Sequence, residues 1–238
     1  MGAGDIAVHD DRSGVGIAHA AEFGWASGLA VRLRIQLCYL WRHGRLADLA
    51  DPMRFTELVQ HRKLTDRNPA LPQMVDKVAV KAHVGELLGP QWVIPLLWHG
   101  QRLPEQSHWD APIVVKSRHG CNQSAFLRQP AQLSRAAWAA LDRRSQRWLR
   151  RRYGSWLDEW AYRDVPRGLL IEPFVGEDGK LPVDYKIYVF GGQAAFVQVH
   201  LERENAHRWM VFDLDWKRVS AATADPDPAP PACLADMI

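Results

Sequence analysis

Charged residues set inside or at the ends of apolar runs mark where this sequence could do chemistry. Lys116 closes the run Pro112-Ile113-Val114-Val115, and Ser117-Arg118-His119-Gly120-Cys121-Asn122 follows at once. A lysine at a strand end, before a small polar loop, can grip a phosphate while loop N–H groups add donors. It can equally reach solvent. Glu172 sits within Leu169-Leu170-Ile171-Glu172-Pro173-Phe174, where a carboxylate is costly unless it is paired or faces a ligand. Asp184 and Lys186 are two residues apart and share one strand face, with Tyr185, Ile187 and Val189 on the other. That charged face either lines a cleft or forms an exposed ion pair of little worth. Lys77 and Lys81 are four apart, on one face of a helix. Two like charges there need an anion or solvent beside them.

The elements that would carry these residues follow from hydrophobic period and turn signals. Helices are expected over Ala26–Trp41, Pro52–His61, Leu71–Leu88 and Gln132–Tyr153, the second of them short. Short apolar runs at Trp92–Trp98, Pro112–Lys116, Gly168–Val175 and Arg208–Asp213 read as strands. Asp184–Phe190 and Gln193–Leu201 flank Gly191-Gly192 and form a hairpin. Residues 1–24 show no sustained period and read as a loose arm. Gly14-Val15-Gly16 within them lacks the third glycine and the preceding strand of a dinucleotide loop. Ser220–Pro231 is rich in Ala, Asp and Pro and reads as a loop. Helices first and mixed strands afterwards imply an α+β, or mixed α/β, fold.

Composition narrows the function. The 238 residues suffice for a core without metal or disulfide staples. Three cysteines lie far apart with no CxxC pair, which argues against a disulfide framework or a cysteine zinc site and fits a reducing compartment. The first 24 residues hold no apolar signal region, and Gly28–Trp41 is too short and too charged to span a membrane. The protein is read as cytoplasmic. Arg143, Arg144, Arg147, Arg150, Arg151 and Arg152 crowd one helix near Trp148, Tyr153, Trp156 and Trp160. Such a pattern can bind nucleic acid, but a net charge of +3 favours a solvated face with tryptophans on the core side; no nucleic-acid partner is expected. P-loop, HExxH, GxSxG and kinase-loop motifs are absent.

Several segments together, in order and spacing, resemble the TupA-like ATP-grasp family, which is linked to teichuronopeptide and other polysaccharide biosynthesis. They are Asp51–Glu57, Lys63–Pro69, Val75–Val80, Val93–Trp98, Val114–Gly120, Ile171–Phe174, Asp184–Phe190 and Phe212–Trp216. The resemblance runs from about Leu29 to Ile238. It implies an ATP-grasp fold with an N-terminal arm and helical region (1–62), a first lobe (63–115) and a nucleotide-binding lobe (116–238). It implies ATP and Mg²⁺ as cofactors. Lys77 and Lys116 are implied phosphate lysines, and His119-Gly120 the start of the loop that closes over the phosphates. Glu172, with the chain through Phe174, is implied as the adenine hinge, and Asp184 as the ribose contact. Lys116, Lys186 and Arg203 are the implied catalytic side chains: the lysines on phosphate or acyl phosphate, Arg203 with Arg208 as a carboxylate clamp.

The implied reaction activates a carboxylate as its acyl phosphate for attack by an amine. The expected partners are a carboxylate-bearing sugar or amino acid and an amine. The family pattern places its acidic metal ligands and a glycine-rich close beyond the region resembling Leu234–Ile238. The fold is therefore expected to be incomplete at its C-terminal end, and no metal ligand is assigned. A nucleotide-binding or scaffold protein without catalysis, and a sugar-directed transferase, stand as alternatives.

Overall fold

Alternation along Ile113–Ser117 and Leu169–Pro173 sends every second side chain to the same side, and a helix covers that side. The computed structural model describes residues 6–10, 28–176, 180–202, 206–221 and 223–238. Strands β1 (Ile6–Asp10), β2 (Trp98–Gly100), β3 (Ile113–Ser117), β4 (Gln123–Leu127) and β5 (Leu169–Pro173) form one sheet in the order β1-β4-β3-β5-β2. Every pairing in it is antiparallel. Helix α5 (Arg135–Arg150) covers one face. Its Trp138, Leu141 and Trp148 pack on Ile113, Val115, Ala125, Leu127, Leu169 and Ile171. The Ser134 hydroxyl caps α5 by accepting from the Ala137 N–H at 3.2 Å. Arg143, Arg147 and Arg150 stay exposed while Trp138 and Trp148 are buried, as the helical period requires.

Helices α1 (Leu29–His43), α2 (Phe55–Thr65), α3 (Leu71–Val75) and α4 (Ala79–Leu88) precede most of the sheet. The helix expected over Leu71–Leu88 is two helices, and Asp76 is the reason. Its backbone is extended (ψ 110°), and its Oδ1 accepts from the Val78 and Ala79 N–H groups at 2.9 and 3.3 Å. A short acidic side chain that competes for backbone N–H groups ends one helix and starts the next. Lys77 therefore lies in the turn before α4, off the helix face that carries Lys81. The strand expected over Trp92–Trp98 is a 3₁₀ turn at Pro90–Trp92 and the short β2. Pro95 has no N–H to give a ladder, and pairing begins with the Leu97 N–H to the Ile171 carbonyl at 2.9 Å.

Two strands were not expected. Gln123–Leu127, given no element by the sequence, pairs with β3. Ile6–Asp10, read as part of a loose arm, pairs with β4. Gly14-Val15-Gly16 lies outside the described residues.

Residues 1–174 and 175–238 form two compact units. The second is an antiparallel meander of β6 (Asp184–Phe190), β7 (Gln193–Leu201) and β8 (Arg208–Phe212). Gly191 and Gly192, at φ 57° and 82°, make the tight turn that only residues tolerant of positive φ can make. Val197, Val199, Met210 and Phe212 are buried on one face, and Trp216 stacks on Phe212 at 4.7 Å. A bulge at Tyr188/Val189 breaks the alternation there, which leaves Val189 exposed.

Candidate functional site

The sheet face opposite α5 is where charge collects. Val114 pairs with Glu172 and Lys116 with Leu170, so Lys116 and Glu172 are diagonal neighbours on one face. Glu172 is 4 % exposed. Its Oε2 accepts from the Lys116 Nζ at 2.5 Å, and its Oε1 meets the Lys81 Nζ at 2.7 Å. Burial alone would raise the pKa of this carboxylate; Lys116 and Lys81 overcome that and hold it below the ordinary glutamate value. Lys81 donates also to the Ile94 carbonyl at 2.5 Å.

A second ionic group adjoins the first. Arg118 grips Asp76 with two parallel bonds, Nε at 2.7 Å and Nη2 at 2.5 Å. Burial works to raise the pKa of Asp76, yet the Arg118 bonds and the two backbone N–H groups hold it below the usual aspartate value. The Arg118 N–H donates to the Gly168 carbonyl at 2.8 Å, and its carbonyl accepts from the Lys77 N–H at 3.3 Å. The Lys77 ammonium donates to the Gly120 carbonyl. Burial pushes its pKa down and Lys116 repels it further, against the pull of Cys121, Glu172 and Asp76. Four cations (Lys77, Lys81, Lys116, Arg118) thus face two carboxylates (Asp76, Glu172), a surplus of two positive charges on these six side chains.

The turn 118–122 between β3 and β4 is held tightly. Gly120 is buried, and a Cβ there would fall 2.6 Å from the Gln123 Oε1 and 3.1 Å from the Tyr153 ring. Asn122 takes the left-handed conformation at φ 55°, which asparagine tolerates better than most residues. Phe174 follows Glu172 on the same strand face and meets Phe126 edge-on at 6.0 Å. Its N–H donates to the Pro112 carbonyl at 3.0 Å.

The structure therefore brings Lys77, Lys116, Gly120 and Glu172 together, with Phe174 next along the strand. The His119 side chain turns the other way. It is 3 % exposed, its Nε2 lies 3.2 Å from the Trp148 carbonyl at the end of α5, and burial lowers its pKa. It lines a depression with Arg151, Arg152, Tyr153, Tyr162 and Arg167. In the second unit, Asp184 is half-buried and Lys186 exposed; they share a face with Gln198 and His200, their partners across β7. Arg203 lies outside the described residues. The Arg208 guanidinium holds Glu202 at 2.7 Å and Asp225 at 2.5 Å within the chain.

Two members of the cluster escaped the sequence. Lys81 was read as one of two solvated lysines, and Arg118 as part of a polar loop. A signal did exist for Lys81, because a glutamate in an apolar strand demands a cation from some other element. Nothing in the spacing named α4 as that element.

A buried carboxylate paired from two sides, beside a tight turn, gives a net-positive sheet face on an α+β unit. The chain belongs to the TupA-like ATP-grasp family, whose model matches residues 57–227. Searches of curated proteins and of solved structures returned no match. The surplus charge fits the phosphates of ATP, which need cations without a surrounding excess of carboxylates. Among the described residues, no three His, Cys, Asp or Glu side chains are grouped to hold a metal ion. No helix among those residues is long and apolar enough to cross a membrane.

Proposed function

We propose that the protein is an ATP-dependent carboxylate–amine ligase acting in cell-surface polysaccharide biosynthesis. The observation that supports it most is the net-positive cluster around Glu172 inside the family match. In the proposed reaction the γ-phosphoryl group moves to a carboxylate oxygen and ADP leaves. The amine nitrogen then attacks the carbonyl carbon, loses its proton, and phosphate departs as the amide forms. The carboxylate belongs to a sugar or amino acid.

Lys116 and Lys77 would neutralise the phosphates, since phosphoryl transfer depends mainly on positioning and charge stabilisation. Gly120 keeps the turn close enough for its backbone to approach them. Glu172 through Phe174 would form the adenine hinge, with the Phe126–Phe174 pair as its apolar wall. The family resemblance also assigns Asp184 to the ribose, Lys186 to the transferring phosphoryl group and Arg203 to the substrate carboxylate.

The test is calorimetric titration of the protein with ADP and Mg²⁺, followed by assay of ADP release with uronates or amino acids and amines. Saturable binding that Lys116→Ala weakens, with ADP release only when both acceptors are present, supports the reading. No binding heat and no displacement of a fluorescent nucleotide sinks it. Binding without turnover on any acceptor pair sinks the ligase and leaves a nucleotide-binding protein; phosphate recovered on a sugar hydroxyl makes it a transferase.

A further inference from the structure

We infer that Lys81 is a positioning residue that frees Lys116 to leave Glu172 for a bound phosphate. The inference rests on the nucleotide reading above. The two lysines differ in how they are held. Lys81 has two acceptors, the Glu172 carboxylate at 2.7 Å and the Ile94 carbonyl at 2.5 Å, and its side chain is 16 % exposed. Lys116 bonds Glu172 at 2.5 Å, and its side chain is 30 % exposed. The more open, less tethered lysine is the one that can swing.

Withdrawing a cation from a buried carboxylate is expensive when nothing else compensates it. Glu172 avoids that cost because each oxygen has its own lysine. When Lys116 turns to an anion, Lys81 stays, and the carboxylate remains ionised. The other charged groups nearby do not replace Lys81. Lys77 bonds the Gly120 carbonyl and is assigned to the phosphates, and Arg118 is locked on Asp76. Lys81 therefore sets the charge of Glu172 in the bound state without touching the nucleotide.

Proton counting tests this, by ADP titration at pH 7 in buffers of different ionisation enthalpy. Relative to wild type, Lys81→Met should take up about one more proton on binding, because the stranded Glu172 protonates. Its ADP affinity should fall about tenfold and recover toward lower pH. Lys81→Arg should restore the wild-type proton count, and Glu172→Gln in the Lys81→Met background should abolish the uptake. Equal proton counts and affinities in wild type and Lys81→Met overturn the inference.

A nucleotide-free arm keeps the two readings apart. Lys81→Met and Lys116→Met should each cost little stability in urea. The double variant should lose far more than their sum, with the excess gone when Glu172 is Gln. Additive losses overturn the inference. If wild type binds no ADP, the nucleotide reading fails before any variant is made and this inference falls with it; a non-additive double variant then shows only the shared carboxylate.

Discussion

Asp76 and Glu172 are equally buried, each 4 % exposed, yet their cations differ in kind. Asp76 is met by one planar guanidinium through two bonds, and it also caps α4. Glu172 is met by two ammonium groups from different elements, one bond each. A fork that matches a carboxylate is stiff and directional, whereas an ammonium on a flexible stem is a point charge that can change partners. The first group is built to stay; the second can release a lysine and keep its carboxylate paired. The comparison separates scaffold from working parts within one patch of sheet and turn.

The largest effect should come from breaking the stiff group. Asp76→Ala strands the Arg118 guanidinium and removes the α4 cap, and should cost about 3–5 kcal/mol in urea unfolding. A loss below about 1 kcal/mol, the range of a surface pair, would erase the distinction between the groups. Lys116→Ala comes next and should move binding rather than stability, because Lys81 still serves Glu172. Losing one charge-assisted bond to phosphate should weaken ADP by about 10- to 100-fold, as seen by calorimetry. A variant that unfolds readily but binds normally would make Lys116 the structural member.

A smaller effect is expected from Gly120→Ala. The added Cβ meets Gln123 and Tyr153, so the turn must shift, with an ADP loss of about fivefold at a cost near 1 kcal/mol. The smallest effect at neutral pH is electrostatic. Both folded carboxylates lie below their ordinary values of 3.8 and 4.5, so the stability they contribute is complete above those values. It is lost as pH falls through the lower folded ones. The stability difference between wild type and Asp76→Asn should therefore be flat from pH 7 to the ordinary carboxylate range and shrink below it in denaturation series.

Legibility followed the range of each interaction. Ile113–Ser117, Leu169–Pro173 and the Gly191-Gly192 hairpin announce themselves through short apolar runs and turn residues, and all three form. Gln123–Leu127 was hidden because it holds no β-branched residue and comes straight after the Gly120-Cys121-Asn122 turn; it is a strand because β3 needs a partner on that side. The Leu71–Leu88 period runs straight through Asp76, and only the capping geometry shows that the helix stops there. Lys116 and Glu172 were each legible as residues needing an anion or a cation. That they satisfy one another depends on β3–β5 register, and Lys81 on where α4 lands, both of which are long-range facts.

The break at Asp76 carries a consequence for how the protein assembles. It fastens residues 76–77 to the turn at 118–120 through the Arg118 fork, the Lys77 amide and the Lys77 ammonium. Such fastenings span more than forty residues of chain, and closing so long a loop is rewarded only after the intervening strands are paired. The ionic patch should then form on the native side of the folding barrier. Weakening it through Asp76 should leave the folding arm of a chevron plot nearly fixed and raise the unfolding arm, so the patch acts as a latch on the lifetime of the folded state.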